Sequence, residues 1–391
     1  MKSSSRSRPL GFAETCLFDV AGILARTVAW TRQDDAGVVQ ESIKRPQRAG
    51  HYFVSRVCGG ESAAASFPKP DDSAIFNGMY DIIGDIHGHA DELRLLLSNL
   101  GYTEEANGFR HQTRQAIFVG DFVDRGPKIS EVLRIVRSMV STGAAQAVMG
   151  NHEFNAIAYQ IPNANQPGEF LRRHTKEKGF QHEQTLLQLG ADRSSRALGD
   201  ALEWFRTLPM TLDLDGIRVV HACWDPQQIS VIESARDKFG GVTDEFMAQA
   251  CDGRSPLYYA IEDVLKGKEA PVPAGHPARD SYGHIRLAMR TRWFEAPGDH
   301  TFRSFSLPES TAMPDIPLTK EATACCAPYC ETEPPVFFGH YWMNDDPPRP
   351  LSNNVACVDY SIAKGGRLCA YRWDGERKLG ADKFVCVPAL T

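Results

Sequence analysis

The run Tyr80-Asp81-Ile82-Ile83-Gly84-Asp85-Ile86-His87-Gly88 decides how this chain is read. Its first half is short and apolar, the signature of a buried strand. It then breaks at glycine and offers a carboxylate and an imidazole two positions apart. On extended backbone such side chains leave from the same side. The pattern returns twice. The apolar run Gln115–Gly120 leads into Asp121-Phe122-Val123-Asp124-Arg125-Gly126, and Ala145–Gly150 leads into Asn151-His152-Glu153. Three strand ends therefore carry Asp-x-His, Asp and Asn-His.

Between these runs lie helical stripes. His89–Leu100 places Leu93, Leu96, Leu97 and Leu100 on one face, and Ile129–Val140 does the same with Ile129, Val132, Leu133, Val136 and Val140. Strand–helix–strand–helix–strand in this order predicts parallel pairing through right-handed crossovers. Ligand residues then belong at the C-terminal strand ends.

Residues 166–208 read as helical, including Glu169–Leu189 and Leu198–Leu208. Met210–Leu214 and Ile217–His221, joined at Asp215-Gly216, read as a hairpin. Helical pattern returns at Gln227–Arg236 and Leu257–Lys266. Residues 296–335 are rich in proline and polar residues, a loop or cap insertion. Val336–Gly339, Val355–Tyr360, Leu368–Trp373 and Phe384–Val387 close the chain as strands. A parallel half followed by a largely antiparallel half predicts an α/β fold: two packed mixed β-sheets forming a sandwich flanked by α-helices. No repeat of solenoid type is visible.

The 391 residues suffice for a full core. No run approaches the roughly 18–20 apolar residues that span a bilayer, so no membrane partner is expected. Residues 1–78 hold 10 Lys+Arg against 8 Asp+Glu, whereas the remainder holds 33 against 41. An acidic body argues against nucleic-acid binding, yet permits a phosphorylated substrate where metals supply local positive charge. Of ten cysteines, Cys223, Cys251, Cys357, Cys369 and Cys386 are scattered among apolar stretches as buried free thiols are. Cys325, Cys326 and Cys330 cluster without a second ligand pair at zinc spacing. The pattern suits a reducing cytosol and predicts a cytoplasmic protein.

Residues 1–78 lack any sustained period, and regular patterning starts abruptly at Met79. A start-site artefact fits that boundary best, followed by a disordered extension. An export signal comes last, because Cys16–Ala25 contains Asp19 and Gly22. The catalytic domain is therefore expected to span 79–391.

An Asp/Asn/His set without cysteine suits Mn²⁺, Fe or Zn²⁺ more than Ca²⁺. Two divalent ions about 3.5–4 Å apart can share a carboxylate and a hydroxide that attacks phosphorus in line. Asp121, central among the motifs, is the natural bridge. Asp85 and His87 complete one ion. Asn151 begins the second, which needs two more imidazoles; His221 and His340 each follow an apolar run and so stand at strand ends.

Taken together, Asp-x-His-Gly, Gly-Asp-x-x-Asp-Arg-Gly, Gly-Asn-His-Glu, a strand-end His and a Gly-His resemble the calcineurin-like metallophosphoesterases, in particular their phosphoprotein phosphatase branch. The resemblance runs from residue 79 to the C-terminus. It implies Asp85, His87 and Asp121 on one metal, and Asp121, Asn151, His221 and His340 on the other; two divalent ions are expected, Mn²⁺ before Fe or Zn²⁺. It implies His152 as general acid oriented by Asp124, and Arg125 gripping the phosphate with its planar fork. A second phosphate arginine is expected later, and Arg290 or Arg292 takes that place. Symmetrical diadenosine tetraphosphatases resemble this chain too, but typically carry Ala at the position of Asp124 and Asp at that of Glu153. The expected activity is that of a Ser/Thr protein phosphatase-like phosphomonoesterase acting on a phosphorylated protein. The alternative is a dinucleoside polyphosphate hydrolase with a nucleotide substrate.

Overall fold

The computed structural model describes residues 78–391 except 107, 191–195, 274, 277, 280–284, 325–326 and 391. The chain divides between Asp71 and Asp72, and every described residue belongs to the second unit. The expectations for the leading segment, and those for Cys325 and Cys326, lie outside the described residues.

In chain order the main elements are β1 (Tyr80–Ile83), α1 (Ala90–Asn99), β2 (Gln115–Phe118), α2 (Ile129–Ser141), β3 (Ala145–Ala147), α3 (Asn151–Gln160), α4 (Lys176–Leu189), α5 (Arg196–Thr207), β4 (Thr211–Leu214), β5 (Ile217–Val220), α6 (Pro226–Phe239), α7 (Asp244–Ala250), α8 (Pro256–Lys266), β6 (Val336–Phe338), β7 (Val355–Cys357), β8 (Asp359–Tyr360), β9 (Arg367–Trp373) and β10 (Phe384–Pro388). β1, β2 and β3 pair in parallel, Ile83 beside Phe118 and Phe118 beside Ala147. β9 joins this sheet antiparallel to β1, β8 and β10, with Tyr80 opposite Trp373. The second sheet runs β7–β6–β5–β4.

The period of two along each strand sorts its side chains between two layers. Ile82, Ile117, Ile217, Val219, Phe337, Ala356 and Tyr371, drawn from both sheets, form one buried cluster. Their neighbours Ile83, Phe118, Val220, Phe338 and Cys357 face the other way. They join the helix-side core with Leu93, Leu96 and Leu97 of α1 and Val132 and Val136 of α2. The sandwich of two mixed sheets flanked by helices is therefore the fold.

Several expectations need correction. Glu169–Thr175 is not helical. Pro162 and Phe170 form a bridge, and the N–H groups of Leu171 and Arg172 donate to Ile161 and Ala158. This segment thus returns along the end of α3, and α4 starts only after Thr175, whose hydroxyl caps the Lys178 N–H. Helix α7, capped by Thr243, was not anticipated. β6 pairs in parallel on both sides, with β5 and with β7. The long connections from β5 to β6 and from β6 to β7 return the chain and allow this, so β6 is a parallel exception in a second half whose other main pairings, β4 with β5 and β9 with β8 and β10, are antiparallel. Cys369 and Cys386 are not free thiols. They stand opposite each other in the β9–β10 ladder, Cα atoms 4.1 Å apart, and are disulfide-bonded. Cys251 and Cys357 remain thiols.

Residues 296–335 do not pack alone. Phe302, Phe305, Met313 and Ala322 form a small cluster with Ala270, Val272, Ala278 and Met289. Among the described residues no helix is long and apolar enough to cross a membrane.

Candidate metal centre

Backbone contacts tie the strand ends together before any side chain converges. The N–H groups of Ile86 and His87 donate to the Asp121 carbonyl at 3.2 and 2.8 Å, and that of Gly88 to Phe122 at 2.9 Å. Glu153, fully buried in the first turn of α3, accepts from the N–H groups of Asp121, Phe122 and Gly150 at 2.8, 2.8 and 3.0 Å. A carboxylate there also complements the positive end of the helix. His340 donates its N–H to Asp85 at 3.0 Å. A Cβ on Gly339 would overlap the Asp85 carboxylate, so glycine lets β6 end against it. His87, Asp121, Asp124, Arg125, His340 and Trp342 all hold left-handed φ angles. For residues with side chains this costs about 1–3 kcal/mol each, and it persists only where surroundings over-determine the backbone.

Two groups of donor atoms result, each within 4.8 Å: His87, Asp121 and His152, and Asp121, His221 and His340, all buried. Asp121 belongs to both. Asn151 joins the second, its Oδ1 lying 2.9 Å from His221 Nε2 and 2.8 Å from His340 Nδ1. Asp85 stands outside both triads, its carboxylate turned to His340 as above.

Second contacts fix the imidazoles. His87 Nδ1 donates to the Val123 carbonyl at 2.9 Å and His221 Nδ1 to that of Val119 at 2.7 Å. Each ring, when neutral, then turns an Nε2 lone pair inward. At His221 that lone pair meets Asn151 Oδ1 and, at 3.4 Å, Asp121 Oδ1. Converging lone pairs in a dry site require a proton or a cation between them. His87 Nε2 and His340 Nε2 are buried without hydrogen-bond partners, His87 Nε2 lying 3.6 Å from Asp121 Oδ2. Burial, with the neighbouring His152 charge, pushes His87 down to about 3, and burial with the nearby Arg290 charge lowers His340. Neutral imidazoles are the metal-binding form. Burial alone would raise Asp121, but His221 and His152 outweigh it and keep it ionised. The residues present thus fit a pair of divalent cations.

Behind the triads, His152 Nδ1 lies 2.5 Å from Asp124 Oδ2. The other oxygen of Asp124 receives His182 Nδ1 at 2.7 Å and the Thr185 hydroxyl at 2.5 Å. Sequence reasoning left His182 unassigned and did not single out Thr185. Their signal was the spacing of three along α4 shared with Gln188, whose side chain accepts from Ile129 N–H and donates to Gly126.

The arginines diverge. Arg125 is exposed, its guanidinium 4.7 Å over the ring of half-buried Trp342. Arg290 lies 5.9 Å over the Tyr341 ring, beside His340. Arg292 is held by Glu295 at 2.7 and 2.8 Å.

A profile of the calcineurin-like phosphoesterases matches residues 80–252. The chain is 30% identical over 311 residues to a symmetrical bis(5'-nucleosyl)-tetraphosphatase of Vibrio parahaemolyticus, covering 77% of this chain and 97% of that one. It is 45% identical over 84 residues to the asymmetrical bis(5'-nucleosyl)-tetraphosphatase PrpE of Halalkalibacterium halodurans, covering 21% of this chain and 34% of that one. With 66% of the PrpE protein of Oceanobacillus iheyensis covered, the chain spans less than two thirds of the length of these PrpE relatives. A protein serine/threonine phosphatase of Saccharomyces cerevisiae superposes with a TM-score of 0.40 at 13% identity, over 82% of each chain. The motifs from Asp85 to Glu153 lie inside the matched region, and the relative from Vibrio is matched nearly end to end: the chain belongs to the calcineurin-like phosphoesterase family.

Proposed function

We propose that the chain is a metal-dependent hydrolase of dinucleoside polyphosphates. The observation that carries the reading is one buried carboxylate, Asp121, shared by two triads of donor atoms. The names of the relatives support the substrate class, and move it from the phosphoprotein reading to its alternative. One ion would be held by His87 and Asp121 of the first triad with Asp85 turned in from outside it, the third member His152 being kept for proton transfer; the other would be held by Asp121, Asn151, His221 and His340. Bound divalent ions neutralise phosphate oxygens and acidify water, and Mn²⁺ suits the donor set. Asp124 accepts from His152 Nδ1, so the Nε2 of His152 is left to carry a proton toward the leaving oxygen. Arg125 and Arg290 supply positive charge to the phosphates beyond the metals.

A phosphoprotein substrate is the second reading, favoured by one observation. Asp124 and Glu153 keep the form that the resemblance assigns to protein phosphatases, and both are tied into the site.

A substrate panel on the full chain tests both. Diadenosine tetraphosphate, nucleotides and phosphopeptides are each supplied with Mn²⁺, Zn²⁺ or Fe²⁺, and products are resolved by chromatography. Two ADP from the tetraphosphate indicate symmetrical cleavage; ATP with AMP indicates asymmetrical. Turnover of phosphopeptides with the tetraphosphate untouched overturns the first reading. His152→Asn should lower kcat about 10²–10⁴-fold while both metals stay bound. A fully active variant removes His152 from the acid role.

A further inference from the structure

His152 is held by Asp124, and Asp124 is held in turn by a second histidine. We propose that His182 is a positioning residue that fixes the Asp124 carboxylate, and through it the ring of His152. The inference rests on the acid role of His152 given above.

The geometry is specific. His182 Nδ1 lies 2.7 Å from Asp124 Oδ1, and His152 Nδ1 lies 2.5 Å from Oδ2. Each carboxylate oxygen therefore faces one imidazole. Thr185 completes the hold: its hydroxyl donates to Oδ1 at 2.5 Å and accepts the Asp124 N–H at 2.9 Å. With Oδ1 accepting two donors, only Oδ2 is left for His152. Asp124, His152, His182 and Thr185 are all buried, so no water competes for these positions.

Such a clamp is needed here because Asp124 and Arg125 both hold left-handed φ angles, 67° and 71°. Neither has the freedom of glycine, and left alone this backbone would relax. Three side chains on one face of α4 oppose that. His182 and Thr185 hold Asp124, and Gln188 bridges Gly126 and Ile129. The His182 ring is itself wedged against Tyr159, centroids 5.1 Å apart. Helix α4 is thus the mount on which the His152 ring is aimed. Hydrogen bonds from His152 and His182 also outweigh the burial that would raise Asp124, keeping it an anion able to accept from both.

The test compares His182→Leu with His182→Asn, whose amide N–H occupies the place of Nδ1. Two readouts are taken. The first is kcat and KM on the panel compound that is turned over best. The second, independent of turnover, is the proton NMR signal of His152 Nδ1–H, assigned by its loss in His152→Asn. His182→Leu should lower kcat about 10–100-fold with KM and metal content unchanged, and should shift or erase the His152 signal. His182→Asn should recover most of both. Thr185→Val, a milder change, should move the signal the same way by less. The proposal is overturned if the Leu variant leaves the signal and kcat intact, or if Asn does no better than Leu, as a purely packing role requires. It also fails if His182→Leu lowers kcat only through lost metal. If His152→Asn keeps full activity while the signal still depends on His182, the acid role has failed and the positioning contact stands.

Discussion

The stretch from Tyr80 to Gln160 and the stretch from Lys268 to Pro335 use their apolar residues differently. In the first they recur at strand or helix spacing, feed the main core, and leave a polar group at each strand end. In the second, Ala270, Met289, Phe302, Phe305 and Met313 follow no period and pack into a cluster of their own, while Trp293, Phe294 and Leu307 tie the stretch to the main core. The first region gathers donor atoms because regular elements repeat one geometry: buried strand, sharp turn, polar side chain. The second contributes Arg290 beside His340 from a short strand pair, with no turn motif to announce it. The donor atoms are anchored where the backbone is periodic, and the arginine proposed for the phosphates is added where it is not.

The hardest way to break that contrast is Asp121→Asn. Asp121 is the one residue common to both triads, so its loss should exceed the roughly 10²–10⁴-fold expected of an acid–base residue alone. Metal analysis should show both ions depleted. A variant that keeps two tightly bound ions would mean that the strand ends do not share their central ligand.

Glu153→Gln probes the scaffold under the ligands. The carboxylate accepts from four backbone N–H groups, those of Asp121, Phe122, Gly150 and, at 3.4 Å, Val123, and an amide must turn its own N–H toward at least one of them. Charge-assisted bonds to a buried group contribute about 1.5–3 kcal/mol each, so a loss of about 4 kcal/mol is expected in denaturant unfolding. A stability within 1 kcal/mol of the parent, about the worth of one ordinary hydrogen bond, would show that the Asp121 loop holds itself.

How much of this was readable beforehand follows the same contrast. The proposed ligands Asp85, His87, Asp121 and Asn151 were legible as candidates because each follows an apolar run directly. His221 and His340 were legible for the same reason, though far along the chain. Glu153 was visible only as part of a motif, since its partners are backbone N–H groups that no sequence displays. His182 and Thr185 left only a spacing of three as a signal, and a helix face at that spacing looks the same whether it meets solvent or the Asp124 carboxylate. The Glu169–Thr175 segment misled because its composition tolerates a helix, while Pro162, Pro167 and Gly168 upstream favour the return path it takes. Cys369 and Cys386 became a pair only through the register of two strands formed long after β1. The parallel pairing of β6 on both sides likewise depends on where long connections return.

The smallest effect is expected where the second region joins the rest of the domain. Lys268, at the root of the cap, lies 2.6 Å from the Asp225 carboxylate, and both side chains are about a tenth exposed, 10% and 11%. Asp225 also caps α6, accepting from Gln227 and Gln228 at 2.9 and 3.2 Å. Lys268→Met keeps the aliphatic stem and the helix cap but removes the charge. Because the pair is not fully dry, the loss should be about 2 kcal/mol, below that of a completely buried pair. Its pH dependence has a definite sign. Burial would raise Asp225, but Lys268 outweighs it and holds the carboxyl below its usual range. A depressed acid contributes stability above its unfolded pKa of about 3.9, and that contribution is lost as pH falls through the lower folded value. Lys268 itself stays charged throughout this window, since its pairing raises it further above an already high value despite burial. The Tm difference between parent and variant should therefore be constant near neutrality and narrow below about pH 4. A difference that persists unchanged to pH 2 would mean that Lys268 acts by packing, and that the cap is joined to the body by shape and not by charge.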